Sequence, residues 1–161
     1  MTPQDVLKQN IEFGHRVIQS YLSDLSDADL RVRPVPGANH AAWQLGHLIA
    51  SNHRMLTGLG QPAPTLPEGF EAAHSHDTAS CDDPACFATK ARYLALAEQL
   101  KDASLAAVAA TADRLDEPGP EMMRAYAPTV GAVLGLLGSH WLMHAGQFVI
   151  TRRKLGKPVL F

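Results

Sequence analysis

The sequence has little of several features that would assign it to a particular class of protein. It contains only two cysteines, Cys81 and Cys86, in 161 residues, too few for a fold that depends on disulfide bonds. The formal net charge is -2, which gives no electrostatic basis for nucleic-acid binding. We therefore expect reduced thiols and no nucleic-acid partner.

Segments that would direct the chain into or across a membrane are also missing. The first residues lack a basic flank followed by an apolar run, and no apolar stretch approaches the ~20 residues of a membrane span. A cytoplasmic protein without a membrane partner is the default prediction. The length and a hydrophobic fraction of 46% fit a single domain over residues 1–161.

Sustained β-type alternation is absent, and helical periodicity is present in its place. Apolar residues in segment 2–25 recur three, four or seven positions apart, which predicts a first helix. Ser26 and Asp29 have the spacing of a capping box and predict a short helical turn. Asn39 is the predicted N-cap of a second helix that ends near Leu59.

The second half of the chain predicts two more helices. Asp83 and Pro84 mark the start of a third helix that runs to about Leu115, and Thr129 can cap a fourth from Val130 to about Leu155. Residues 61–83 contain proline, glycine and polar residues and predict an extended surface connection. Together these patterns predict an all-α four-helix bundle with a long connection between helices 2 and 3, which lets those two helices run in the same direction.

Two histidines in the predicted fourth helix are the clearest functional signal. His140 and His144 are one turn apart, about 40° around the helix axis and ~6 Å along it, so both rings can reach one ion. The surrounding sequence is apolar, and two unpaired imidazoles would be costly to bury there. The alternatives are a histidine that is hydrogen-bonded in the core or one that faces solvent at the end of the bundle.

His47 is the best candidate for a third ligand because it lies among apolar residues in the middle of the predicted second helix. His40, seven residues earlier, is the second choice. Three imidazoles leave coordination positions open, as in catalytic or substrate-binding sites. We expect one divalent transition metal, with Zn or Ni favoured and Fe or Mn as alternatives.

Three segments resemble the DinB-like superfamily of metal-binding four-helix proteins, and the resemblance covers nearly the whole chain. They are Trp43-Gln44-Leu45-Gly46-His47-Leu48, His140-Trp141-Leu142-Met143-His144-Ala145-Gly146-Gln147 and Leu155-Gly156-Lys157-Pro158. The resemblance implies metal-ligand roles for His47, His140 and His144. The chain has Trp141 and Ala145 where the family often has an acidic residue and an arginine.

The same resemblance implies a metal-dependent hydrolase or a thiol-dependent transferase or isomerase, commonly dimeric. Our leading hypothesis is a hydrolase with a small-molecule substrate, although the chain lacks the glutamate of a His-Glu-x-x-His peptidase motif. The alternatives are a thiol-dependent S-transferase or isomerase, which activates a low-molecular-weight thiol, and a non-catalytic metal-binding or ligand-binding module. A homodimer is the expected assembly, and no catalytic residue is predicted.

Other polar residues have weaker signals. Tyr126 and Gln147 are predicted to line the site as cofactor-binding or substrate-binding donors, together with Thr129. His74, His76, Cys81 and Cys86 form a second possible zinc cluster, for which a polar surface loop is the preferred interpretation. Arg152, Arg153, Lys154 and Lys157 complement the dipole of the last helix, and docking of an anionic thiol is their functional alternative.

Overall fold

Helices are the main secondary structure in residues 1–160, the part of the chain that the computed structural model describes, and the β-structure there is one isolated bridge between Pro118 and Thr129. Five α-helices form there: α1 (Pro3–Leu22), α2 (Ala41–Gly58), α3 (Phe70–Ala73), α4 (Lys90–Ala110) and α5 (Val130–Lys154). The all-α prediction is confirmed. The number of helices differs from the predicted four, because the four-residue α3 forms inside the connection that the sequence analysis treated as extended.

Local capping explains where most of the helices begin. Thr129 caps α5 by accepting a hydrogen bond from the Ala132 amide, and Ser26 and Asp29 form the predicted capped turn. The cap of α2 is His40, not Asn39, because the Nδ1 atom of His40 accepts from the Trp43 amide at 3.1 Å.

The predicted start of the third long helix is wrong by several residues. Asp83 does accept from the Ala85 amide, but it caps only a short 3-10 turn over Pro84–Cys86. Phe87 then has extended backbone angles, and Thr89 caps α4, which ends at Ala110 rather than near Leu115.

Hydrogen bonds between the long helices show the directions in which these helices run relative to one another. α1 and α5 are parallel, and α2 is antiparallel to α5, as α4 is to α1. The bonded pairs are Asn10 with Gly135 and Tyr21 with Arg152 between α1 and α5, Gln44 with His144 and Asn52 with Leu137 between α2 and α5, and Gln19 with Glu98 and Gln4 with Ala112 between α1 and the region of α4. Helices α2 and α4, which correspond to the predicted helices 2 and 3, therefore run in the same direction. This agrees with the prediction made from the long connection between them.

Helices α1 and α5 approach each other most closely at two glycines. A Cβ atom on Gly138 would lie 2.6 Å from the backbone carbonyl of Asn10, and one on Gly14 would lie 2.6 Å from the carbonyl oxygen of Gly138. Close packing of the two helices therefore explains the glycine at position 138. It does not explain Gly135, whose nearest neighbour would be 4.0 Å away.

By length and composition alone, α5 is also long enough and apolar enough to cross a membrane, with a mean hydropathy of 1.2 in its best window. In this structure 44% of that window is buried inside the protein. The helix packs along α1 and α2, and its His144 contacts Gln44 of α2, so its apolar character is that of a core helix.

The basic end of α5 is partly structural. Arg152 is completely buried, donates to the carbonyl oxygens of Tyr21 and Pro158, and forms a salt bridge with Asp24. Its hydrogen bond lowers the pKa of the Asp24 carboxyl to about 2. Arg152 is therefore fully engaged in tying the last turn of α5 to the end of α1, and an incoming anion would have to compete with these contacts.

A buried histidine outside the candidate site makes stability depend on pH. His15 stacks on Trp141 with ring centroids 4.0 Å apart, and neither of its ring nitrogens has a hydrogen-bond partner within the described chain. Burial, followed by the nearby charge of Lys101, lowers its pKa to about 4.

We expect metal-free protein to lose stability as the pH falls from 6.5 to 4. In that range the unfolded state binds a proton on His15 that the folded state excludes, so the cost reaches about 3 kcal/mol at pH 4 and is absent above the unfolded pKa. Denaturant titrations at a series of pH values should show a shallower loss for His15→Phe than for wild type. The exposed His76→Gln variant is the control, and equal pH profiles for wild type and His15→Phe would contradict the prediction.

Candidate metal centre

Three histidines from two antiparallel helices meet at one point. His47 projects from α2, and His140 and His144 project from adjacent turns of α5, so that one nitrogen of each ring lies within 4.8 Å of the other two. The ring centroids are 4.9 to 5.4 Å apart. The structure therefore brings together the three residues that the sequence analysis selected.

The donor set fits a transition metal. Zinc binds imidazole nitrogen at ~2.0–2.1 Å, which places tetrahedral ligand atoms about 3.3 Å apart, so small side-chain rotations would close the group on an ion. Neutral nitrogen donors suit Zn, Ni and Fe better than Ca or Mg. No other group of three or more His, Cys, Asp or Glu side chains in residues 1–160 has this proximity.

Electrostatics keeps the three imidazoles in the neutral form that binds metals. Burial is the main cause in each case. It lowers the pKa of His47 to about 4, with help from the charges of His140 and Arg54, and that of His144 to about 3, with help from His140 and His47. Burial and the Arg54 charge also lower the pKa of His140. All three rings are therefore neutral at pH 7 and need not release a proton before they bind an ion.

A buried glutamine orients His144. The Nε2 group of Gln44 donates to the Asn39 carbonyl at 2.8 Å, so its Oε1 atom faces His144 and accepts from Nδ1–H at 2.9 Å. The Nε2 atom of His144 is then left as the ligand. This role of Gln44 was not predicted from the sequence, although a polar residue three positions before His47, inside an apolar run, is a usable signal.

His47 is held by the connection that follows α2. Its ring stacks on Trp43 with centroids 5.0 Å apart and an interplanar angle of 8°. The Trp43 indole in turn donates to the Ser75 carbonyl at 3.2 Å. The connection is thus a support for the site as well as a surface loop.

The remaining histidine candidates are engaged elsewhere. His74 is buried, with Nδ1 donating to the Phe70 carbonyl and Nε2 accepting from the Tyr93 hydroxyl, both at 2.8 Å. His40, the second-choice ligand, caps α2 with one nitrogen and contacts the Cys81 carbonyl with the other at 3.2 Å. Neither joins the triad. His74, His76, Cys81 and Cys86 do not come together as a second zinc cluster. The prediction that this stretch is a polar surface loop is wrong for His74, which is a core residue.

A cavity of about 370 Å³ opens beside the triad. It is lined by His47, Ser51, Arg54, Met55, Met123, Tyr126, Leu136, His140 and Met143. Tyr126 lines this cavity with 65% of its surface exposed, and its role as a binding donor stays a prediction. Thr129 caps α5. Gln147 is exposed and, like the four basic residues at the end of α5, does not line this cavity in the part of the chain described.

Comparisons with known proteins place the chain in one family. The DinB superfamily model matches residues 10–148, which includes all three histidines. No curated protein matches the chain, and no solved structure does.

Proposed function

Because the chain belongs to the DinB superfamily, we propose that it is a metal-dependent hydrolase holding one divalent transition metal on His47, His140 and His144. The observation that carries this proposal is the convergence of three neutral imidazoles within 4.8 Å, beside a cavity that His47 and His140 line. Zn and Ni are the favoured ions, and Fe and Mn are the alternatives.

Each residue of the site has a distinct part in this proposal. When bound, the ion supplies Lewis acidity, which lowers the pKa of a water molecule or of a small thiol. Gln44 fixes the ring orientation of His144, and the Trp43 indole covers one face of His47. The methionine side chains of the cavity wall offer an apolar surface to the substrate beside the ion.

One observation favours the thiol-dependent alternative. Among the described residues, no Asp or Glu lines the cavity, so the protein offers no carboxylate general base to a hydrolytic water. A thiol-dependent S-transferase or isomerase needs no such base, because the lowered thiol pKa itself produces the nucleophile. We retain this function as the second candidate.

Reconstitution separates the candidate functions. The full-length protein is loaded in turn with Zn, Ni, Fe(II) and Mn, its metal content is measured by plasma mass spectrometry, and turnover of ester, amide and lactone panels is followed with and without glutathione or cysteine. Metal-dependent turnover without thiol supports the hydrolase, and turnover only with thiol supports the transferase. Stoichiometric metal without turnover supports a non-catalytic binding module. His47→Ala is the matched metal-site control.

The homodimer and the cytoplasmic location stay predictions. The exposed apolar side chains Val6 and Phe13 on α1 and Ile150 on α5 are compatible with a contact between two copies.

A further inference from the structure

The wall of the cavity beside the triad has one cationic side chain and a largely apolar remainder. Arg54 is that cation, and the apolar side chains of Met55, Met123, Leu136 and Met143 lie in the same wall. No acidic residue of the described chain balances the charge inside the cavity. The wall therefore has the chemistry to hold a ligand with one anionic group and an apolar body.

Arg54 is placed to meet such a ligand. It follows His47 by seven residues on α2, two helical turns along the same face, about 10 Å away along the axis. Both residues line the same cavity. A small organic molecule can thus reach the open side of the triad with one end and Arg54 with the other.

The hydrogen-bonding capacity of Arg54 is largely unused. Its Nη2 group donates to the Ser51 hydroxyl at 3.2 Å, and no carboxylate within residues 1–160 forms a salt bridge with it. A guanidinium has five N–H donors in a fork that matches a carboxylate. The remaining donors are available to a bound anion, and the contact with Ser51 restricts the rotation of the side chain.

We propose that Arg54 is the anion-recognition residue of this cavity and that the substrate is a small organic carboxylate, with its apolar body on the methionines and its reacting group at the triad. The position of the reacting group rests on the proposed metal-dependent function. Recognition of the carboxylate by Arg54 does not depend on a bound metal. A volume of about 370 Å³ is in the range of small-molecule sites.

The test compares phenylacetate with its neutral isostere phenylacetamide by isothermal titration calorimetry, on metal-free and on Zn-loaded full-length protein. We expect phenylacetate to bind both forms, and phenylacetamide to bind about tenfold or more weakly, since a charge-assisted pair is lost. Arg54→Gln should remove the preference, and Arg54→Lys should keep part of it. Arg153→Gln, an exposed arginine in the last turn of α5, is the matched control and should behave as wild type.

The possible failures are distinguishable. Equal binding of the two probes by wild type, or an unchanged preference in Arg54→Gln, overturns the proposal. A preference that needs Zn and survives in Arg54→Gln shows that the carboxylate binds the ion, which overturns the role of Arg54 while leaving the metal site intact. Arg54-dependent binding in a protein that holds no metal supports this inference and removes the proposed hydrolase.

Discussion

Replacement of His140 by alanine should abolish stoichiometric metal retention while the helical circular-dichroism spectrum remains. The variant loses one of three ligands, and the two that remain form an incomplete site. His140 is only partly buried, so its truncation removes few packing contacts and should cost little stability. His144→Ala should also lose the metal, with an added cost in stability of ~1–3 kcal/mol, because the buried Gln44 oxygen loses its donor. Plasma mass spectrometry after gel filtration measures the metal per chain.

A control and a graded variant sharpen this result. His76 is exposed and lies outside the triad, so His76→Ala should keep the wild-type metal content. Gln44→Leu keeps all three ligands but leaves His144 without its orienting acceptor, and metal affinity should fall about 10- to 100-fold. Metal content equal to wild type in both His140→Ala and His144→Ala would exclude the triad as the binding site.

The Gly138→Ala variant should be clearly less stable than wild type. The new methyl group would lie 2.6 Å from the Asn10 carbonyl and 2.7 Å from the Asn10 side-chain amide. Backbone cannot move aside as a flexible side chain can, so α1 would have to shift away from α5. Overpacking of this kind costs ~1–3 kcal/mol, which corresponds to a fall in Tm of roughly 3–10 °C for a chain of this size.

The matched control is the same substitution one turn earlier in the same helix. A methyl group at Gly135 meets its nearest neighbour, Leu7, at 4.0 Å, which is ordinary contact. Alanine has a higher helix propensity than glycine by ~1 kcal/mol, so Gly135→Ala should leave Tm unchanged or raise it. Calorimetric scans should therefore show a lower Tm for Gly138→Ala and no fall in Tm for Gly135→Ala. A similar fall in both would contradict the packing explanation.

The sequence by itself determined the features that depend on neighbours within one or two helical turns. The Thr129 cap and the Ser26–Asp29 turn are contacts over three residues, and the apolar periodicity correctly gave an all-α fold. The spacing of His140 and His144 fixed two members of the triad in the same way. His47 was chosen as the third on its apolar context and on the family resemblance, since spacing alone could not select it.

Tertiary structure decided the features that depend on residues far apart in the chain. The delayed start of α4 accompanies the burial of Tyr93, whose hydroxyl accepts from the Ala88 amide and donates to His74. Gln44 supports the site because α5 places His144, 100 residues later in the chain, within hydrogen-bonding distance of it. Local patterns show which face of a helix is apolar, whereas helix packing decides which polar groups on that face come into contact. The candidate metal centre is made of such contacts.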